Sequence, residues 1–185
     1  MGLYLALFRG INVSGKNIIK MESLRKQMEL AGYNNVKTYI QSGNVVFEAK
    51  ETSKTDLSVA IELLIKKEYS HDITVFVLDR EDMNKVAANN PYATKDELEE
   101  GSKKLYVTFL SGVPQKENIQ KLYDAPIGDD LIEFKDNILY FKLAEKASDS
   151  KLSNNFIESK LKLRATTRNW NTTIKLLTML EESEN

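Results

Sequence analysis

One stretch decides the fold because it occurs twice, as Leu3-Tyr4-Leu5-Ala6-Leu7-Phe8-Arg9-Gly10-Ile11 and as Leu105-Tyr106-Val107-Thr108-Phe109-Leu110-Ser111-Gly112-Val113. Each copy is a short apolar run that ends beside a glycine, which is typical of a buried strand. A hairpin fragment also repeats, since Asn137-Ile138-Leu139-Tyr140-Phe141 is similar to Asn44-Val45-Val46-Phe47. The repeats predict two copies of one structural unit.

The segments around the first copy predict the order of its elements. Apolar residues at helical spacing start at Met21 and stop at Gly32, and a hairpin turn is expected at Ser42-Gly43 because glycine permits positive φ. The predicted strands are 3–8, 36–41, 44–48 and 73–78, with a second helix over 57–65. The resulting order is βαββαβ, the pattern of ferredoxin-like folds.

The second copy repeats this order. Its helices are expected near Lys116–Tyr123 and Lys151–Lys162, its last strand at Leu163–Thr167 and a closing helix at Thr172–Leu180. We therefore predict an α/β (α+β) chain, a tandem duplication of two ferredoxin-like βαββαβ units with antiparallel sheets and a C-terminal helix. The predicted domains are 1–78, a helix and linker over 79–102, and 103–185, where the linker ends in an acidic polar stretch.

Composition excludes several classes of site. The chain of 185 residues has no cysteine and one histidine, which excludes disulfides, zinc-thiolate sites and iron–sulfur clusters. We predict no metal and no cofactor. The N-terminus is apolar but has no basic lead, so it is neither a signal peptide nor a membrane span, and we expect a cytoplasmic protein without a membrane partner.

The net charge of −1 is unevenly distributed. Acidic residues concentrate at Asp96–Glu100 and in the tail Glu181–Glu184, whereas two stretches are basic. The basic residues are Arg9, Lys16, Lys20, Arg25 and Lys26 in the first stretch, and Lys151, Lys160, Lys162, Arg164, Arg168 and Lys175 in the second. Two local basic surfaces are therefore expected on a nearly neutral protein.

Gly10-Ile11-Asn12-Val13-Ser14-Gly15-Lys16-Asn17 has the spacing of a phosphate-binding P-loop after a strand. However, Asn17 replaces the serine or threonine whose hydroxyl holds magnesium, and the next helix starts at Met21 instead of at the lysine. We therefore predict that this loop does not hydrolyse ATP, although it can still bind an anion.

Topology brings this loop to the hairpin turn. In a βαββαβ sheet the first strand lies beside the third, so the loop after Phe8 and the turn 41–44 share one edge. Polar side chains that suit phosphate are expected to converge there: Arg9, Asn12, Lys16, Gln41, Ser42 and Asn44. The alternative is that the asparagines and the serine only stabilise turns, for which they are the preferred residues.

The only tryptophan, Trp170, lies beside Arg168 in a polar run that precedes a helix. Trp170 with Arg168 could stack a nucleic-acid base, as aromatic residues in basic grooves do. The alternative is a packed core tryptophan, with Asn169, Asn171 or Thr172 capping the helix. Both residues are included among the candidate ligand-binding residues.

Three motifs carry a family resemblance: Arg9-Gly10-Ile11-Asn12-Val13, Gln41-Ser42-Gly43-Asn44-Val45 and Thr167-Arg168-Asn169-Trp170-Asn171-Thr172. In these the chain resembles the bacterial family catalogued as domain of unknown function 1697, and the similarity spans nearly the whole chain. The resemblance implies a repeated ferredoxin-like α/β fold and a bacterial cytoplasmic protein. It implies no activity, cofactor or catalytic residue.

Three function classes stay open at this stage. The leading hypothesis is a protein that binds a phosphate-bearing small molecule or a nucleic-acid end. The alternatives are a protein-interaction module whose polar motifs are purely structural, and a metal-dependent phosphoryl- or nucleotidyl-transfer enzyme. The sequence does not decide whether the chain is an enzyme, and no catalytic residue is predicted.

Overall fold

The computed structural model describes residues 1–183; Glu184, in the acidic tail, lies outside the described residues. The first half contains β1 (Gly2–Phe8), α1 (Met21–Leu30), β2 (Asn34–Tyr39), β3 (Asn44–Ala49), α2 (Lys54–Tyr69) and β4 (Val75–Leu78). Two helices follow, α3 (Arg80–Ala88) and α4 (Lys95–Glu99). The second half contains β5 (Leu105–Leu110), α5 (Lys116–Tyr123), β6 (Leu131–Lys135), β7 (Ile138–Lys142), α6 (Asn154–Leu161), β8 (Ala165–Asn169) and α7 (Trp170–Ser183).

The strands form two four-stranded sheets of the same topology. Their orders are β2-β3-β1-β4 and β6-β7-β5-β8, and every neighbouring pair is antiparallel. Each unit is βαββαβ with its first and third strands in the centre, which is the ferredoxin-like arrangement. The predicted tandem duplication with antiparallel sheets and a C-terminal helix is confirmed.

The strand registers give the correspondence between the two units. Tyr4 pairs with Phe47 and Tyr106 pairs with Phe141, so these two pairs are equivalent. One detail of the sequence repeat was wrong: Asn44 pairs with Leu7 in the ladder, and its equivalent is Ile138 instead of Asn137. The shift arises because residues 40–43 connect β2 to β3, whereas only residues 136–137 connect β6 to β7.

Each unit has its own apolar core on one face of its sheet. In the first unit, α1 contributes Leu24 and α2 contributes Ile61, both fully buried against central-strand residues such as Phe47. In the second unit, Leu122, Ile157 and Phe141 occupy the corresponding core. Burial of one such side chain stabilises the fold by roughly 1.5–3 kcal/mol, so the apolar spacing that predicted the helices is also what holds them.

Two segments differ from the sequence interpretation. The expected linker contains α4, a five-residue helix whose N-terminus is capped by the Thr94 hydroxyl and whose buried Glu97 pairs with Lys142. Helix α7 begins at Trp170, before the expected Thr172, because the Asn169 side chain accepts a hydrogen bond from the Asn171 N–H at 3.0 Å. Helix α4 was missed because a five-residue helix has too few apolar repeats for the spacing to predict it.

In space, the chain divides into two compact bodies, one formed by residues 1–84 with 175–183 and the other by residues 85–174. The domain boundaries drawn from the sequence stay a prediction. Within residues 1–183, every helix is too short or too polar to cross a membrane.

Candidate functional site

The predicted loop and hairpin turn do meet at one edge of the first sheet. The Phe8 N–H donates to the Gly43 carbonyl at 2.9 Å, and the Arg9 N–H donates to the Thr74 carbonyl at 2.9 Å. The end of β1 is thus fixed between the β2–β3 turn and the start of β4. We call the surface formed by residues 9–20 and 40–44 the loop edge; it contains Arg9, Asn12, Lys16, Gln41, Ser42 and Asn44.

Asn12 joins the two segments of the loop edge. Its side-chain amide donates to the carbonyls of Gln41 and Ile19, each at 2.9 Å, and its side-chain oxygen accepts from the Ile19 N–H at 2.8 Å. Its φ of 55° is left-handed, a conformation that asparagine adopts more readily than most residues. Asn12 therefore holds the loop in place, which agrees with the structural alternative for this residue.

The tip of the loop is a small hairpin. The Lys16 N–H donates to the Val13 carbonyl at 2.9 Å, and the residues between them, Ser14 and Gly15, both have positive φ. This is the geometry of a type I′ turn. The Asn17 side-chain amide closes the base by donating to the Gly10 carbonyl at 3.1 Å.

That hairpin differs from a P-loop in the way the sequence predicted. A P-loop passes directly into a helix, so that its N–H groups surround the phosphates. Here Lys16 lies in a β-bridge with Val13, and α1 begins only at Met21. The predicted helix start is confirmed, and Asn17 serves the loop backbone.

The β2–β3 turn is built around Gly43 and Asn44. Gly43 has a φ of +79°, and a Cβ atom there would lie 2.6 Å from Ile11 Cδ1, so only glycine fits. Asn44 is fully buried, and its amide donates to the Tyr39 carbonyl at 2.9 Å and to the Ser42 hydroxyl at 3.1 Å. These two residues keep the turn rigid and leave the exposed Gln41 side chain at its tip.

The loop edge is basic in its sequence. Residues 9–20 include Arg9, Lys16 and Lys20 but no aspartate or glutamate, and residues 40–44 carry no charge. Lys16 and Lys20 are exposed, whereas Arg9 is half-buried. Ile11 and Ile19 are buried and anchor the loop to the core. The arrangement presents cationic groups on a fixed backbone.

Comparison of the two units shows that the fold does not require this loop. In the second unit, Ser111 stands at the position of Arg9, and its N–H donates to the Arg164 carbonyl at 3.0 Å just as Arg9 does to Thr74. There, residues 111–115 suffice to connect β5 to α5, whereas residues 9–20 connect β1 to α1. The sheet edge therefore forms without the hairpin, which is an insertion that the first unit has and the second unit lacks.

Arg168 and Trp170 belong to the second unit and have a different environment. Trp170 is only 3% exposed, so its ring faces are covered and packing is the role that the structure favours. Arg168 is buried, and its guanidinium donates to the Thr166 hydroxyl and the Thr167 carbonyl, each at 2.9 Å. Burial lowers the Arg168 pKa to about 10. Base stacking on this pair stays a prediction from the sequence alone.

Sequence reasoning missed one feature of the loop edge, which is its exposed apolar side chains: Val13, Ile18 and Ile40 are 55%, 57% and 47% exposed. The apolar residues gave no signal because an isolated valine or isoleucine between turn residues resembles a core anchor. Within residues 1–183, no three histidine or acidic side chains are grouped as metal ligands.

Comparisons with known proteins give a family and a structural relative. The model of the family described as protein of unknown function (DUF1697) matches residues 1–140. The structure is similar to that of the conserved bacterial protein SP0830 from Streptococcus pneumoniae, with a TM-score of 0.75 and 26% sequence identity over 96% of this chain and 98% of that one. None of the curated proteins matches the chain.

Proposed function

Because the chain belongs to the DUF1697 family, described as of unknown function, we propose its function from geometry: the loop edge binds the phosphate group of a small molecule or of a nucleic-acid end. The observation that carries the proposal is the acid-free, cationic hairpin at 9–20, which the first unit has and the second unit lacks. An ordered loop insertion that the fold does not need is expected to have a binding function.

The chemistry follows from the groups at this edge. Arg9 and Lys16 supply positive charge, and Gln41 supplies an exposed amide that both donates and accepts. A hydrogen bond to a charged group contributes roughly 1.5–3 kcal/mol, so two or three of these donors give a modest affinity without a metal ion. Asn12, Ser42 and Asn44 support this site by fixing the backbone.

The experiment is a titration of the protein with fluorescently labelled short oligonucleotides, with and without a 5′-phosphate, followed by anisotropy. We expect Arg9→Ala to weaken binding by about 1.5–3 kcal/mol, or roughly 10- to 150-fold, and Lys16→Gln to weaken it as well. Lys50→Gln is the matched control, because Lys50 is exposed but follows the opposite end of β3.

The small-molecule form of the proposal is tested in parallel with inorganic phosphate and mononucleotides in thermal-shift assays, since a ligand of the native state raises the melting temperature. An effect that is equal in the Lys16→Gln and Lys50→Gln proteins would contradict the proposal. So would the absence of a saturable effect with every phosphate compound.

The exposed apolar residues of the same edge favour a second candidate, a contact surface for another protein. Val13, Ile18 and Ile40 together offer apolar area beside the lysines. Under this alternative, Ile18→Ser abolishes binding of the partner protein, and Lys16→Gln leaves the affinity for phosphate compounds almost unchanged. Under the phosphate-binding proposal, Lys16→Gln lowers that affinity and Ile18→Ser does not. Measuring both variants with the same phosphate compounds therefore separates the two functions.

A further inference from the structure

A small cavity lies in the second unit beside the aromatic pair Tyr106 and Phe141. Its volume is about 140 Å³, and the opposite wall is formed by the segment between β7 and α6. Leu143 and Leu152 are buried there, whereas Ala147 lies exposed at the mouth. None of the side chains that line the cavity carries a charge.

The first unit shows how the equivalent position is filled. Its pair Tyr4 and Phe47 has the same ladder register as Tyr106 and Phe141. A third ring, Tyr33, packs edge-on against Phe47, with centroids 5.1 Å apart and planes at 75°. Tyr4 is only 8% exposed.

The second unit has an acid where the first has that third ring. Tyr33 directly precedes β2, and the residue directly preceding β6 is Asp130. The Asp130 carboxylate accepts from the Ala144 N–H at 2.9 Å and from the Ser150 hydroxyl at 2.7 Å. It thereby holds the segment that forms the far wall of the cavity.

Tyr106 is the member of the aromatic pair that stays partly open, whereas Phe141 is only 3% exposed. Tyr106 and Phe141 stack with centroids 5.1 Å apart and planes at 7°, and among residues 1–183 no third ring contacts them as Tyr33 contacts Phe47. Tyr106 is half-buried, in contrast to Tyr4.

We propose that this cavity binds a small, neutral, single-ring aromatic compound, which packs beside Tyr106 and supplies the third ring that Tyr33 supplies in the first unit. The size fits, because an engineered protein cavity of roughly 150 Å³ is known to bind benzene. The guest is neutral because burial of a charge without a partner is strongly unfavourable. The Ser150 and Thr167 hydroxyls already bond Asp130 and Asn154, so the ring supplies most of the recognition.

The test is ligand-observed NMR and thermal shift with phenol, with benzoate as the charged analogue and cyclohexanol as the non-aromatic one. Phenol is expected to bind saturably, and benzoate and cyclohexanol at least tenfold more weakly. Leu152→Phe fills the cavity and is expected to abolish phenol binding, whereas Leu152→Ala enlarges the cavity and extends binding to indole. Failure of phenol to bind the wild-type protein, or undiminished binding to a folded Leu152→Phe variant, would overturn the proposal.

A second measurement does not depend on a variant. Crystals of the wild-type protein soaked with 4-bromophenol are expected to show the anomalous bromine signal between Tyr106 and Leu152. A signal located only elsewhere would overturn the proposal. Neither result bears on the loop edge, which belongs to the first unit and concerns an anion.

Discussion

Replacement of Asn12 by alanine tests the construction of the loop edge. The substitution removes three hydrogen bonds to backbone groups, two that the amide donates to the Gln41 and Ile19 carbonyls and one that its oxygen accepts from the Ile19 N–H, together with a long amide contact to Met21 Sδ at 4.0 Å. It also places alanine at a φ of 55°, where asparagine is tolerated better. Both effects act on the native state.

The expected magnitude follows from these contacts. Each hydrogen bond contributes about 1 kcal/mol net, and the left-handed conformation costs alanine roughly 1–2 kcal/mol, of which asparagine already incurs a part. The bond to Gln41 is exposed, so water compensates for much of its loss. We therefore expect Asn12→Ala to lower the free energy of unfolding by about 2–3 kcal/mol.

The assay combines urea unfolding with amide hydrogen exchange at Ile19, whose N–H is bonded to Asn12. Asn12→Gly is the matched variant, because glycine loses the same hydrogen bonds but accepts the left-handed φ without strain, which offsets the higher entropy that it gives the unfolded chain. It should destabilise the protein less than Asn12→Ala does. A loss below about 0.5 kcal/mol in Asn12→Ala, with unchanged Ile19 protection, would refute this role for Asn12.

Three further substitutions test other parts of the structure. Gly43→Ala forces a Cβ to within 2.6 Å of Ile11 Cδ1 at a positive φ, so a loss of about 2–4 kcal/mol is expected by urea unfolding. For Asp79, burial is the largest single influence and would raise the pKa, but the hydrogen bond and charge of Lys54 and the hydrogen bonds with Asp82 together outweigh it, so the pKa is lowered; this stabilisation is present above pH 3.8, is lost as the pH falls through the lowered pKa, and should be missing from the acid unfolding curve of Asp79→Asn. Burial raises the pKa of Tyr140 to about 12, so its contribution to stability is present below pH 10 and lost between there and about pH 12; burial also raises the pKa of Tyr92 to about 12, so ultraviolet titration of Tyr140→Phe should show one late-ionising tyrosine fewer than the wild-type protein.

Much of the fold was predictable because apolar spacing indicates which residues are buried, and glycine-containing turns mark where strands end. The strand pair at Leu3–Phe8 and Leu105–Leu110, the helix start at Met21 and the turn at Ser42-Gly43 all appear as expected. The error at Asn137 had a definite cause: sequence repeats do not reveal that the two hairpin turns differ in length.

The candidate site was predictable only in its location. Topology placed the loop and the turn together, and the Asn12–Gln41 bond confirms that juxtaposition. The sequence did not predict which of these residues hold the turns and which are available to a ligand, because asparagine suits both roles. The burial of Trp170 likewise depends on tertiary packing and not on its neighbours in the sequence.

The measurement that tests the central claim most directly is amide chemical-shift mapping during titration with pyrophosphate and with a short 5′-phosphorylated oligonucleotide. The proposal predicts saturable shifts of the Gly10–Asn17 and Gln41–Gly43 amides, reduced at least tenfold in affinity by Lys16→Gln and unaffected by Lys50→Gln. Saturable shifts confined to other parts of the chain, or no shifts at the loop edge with either compound, would contradict it.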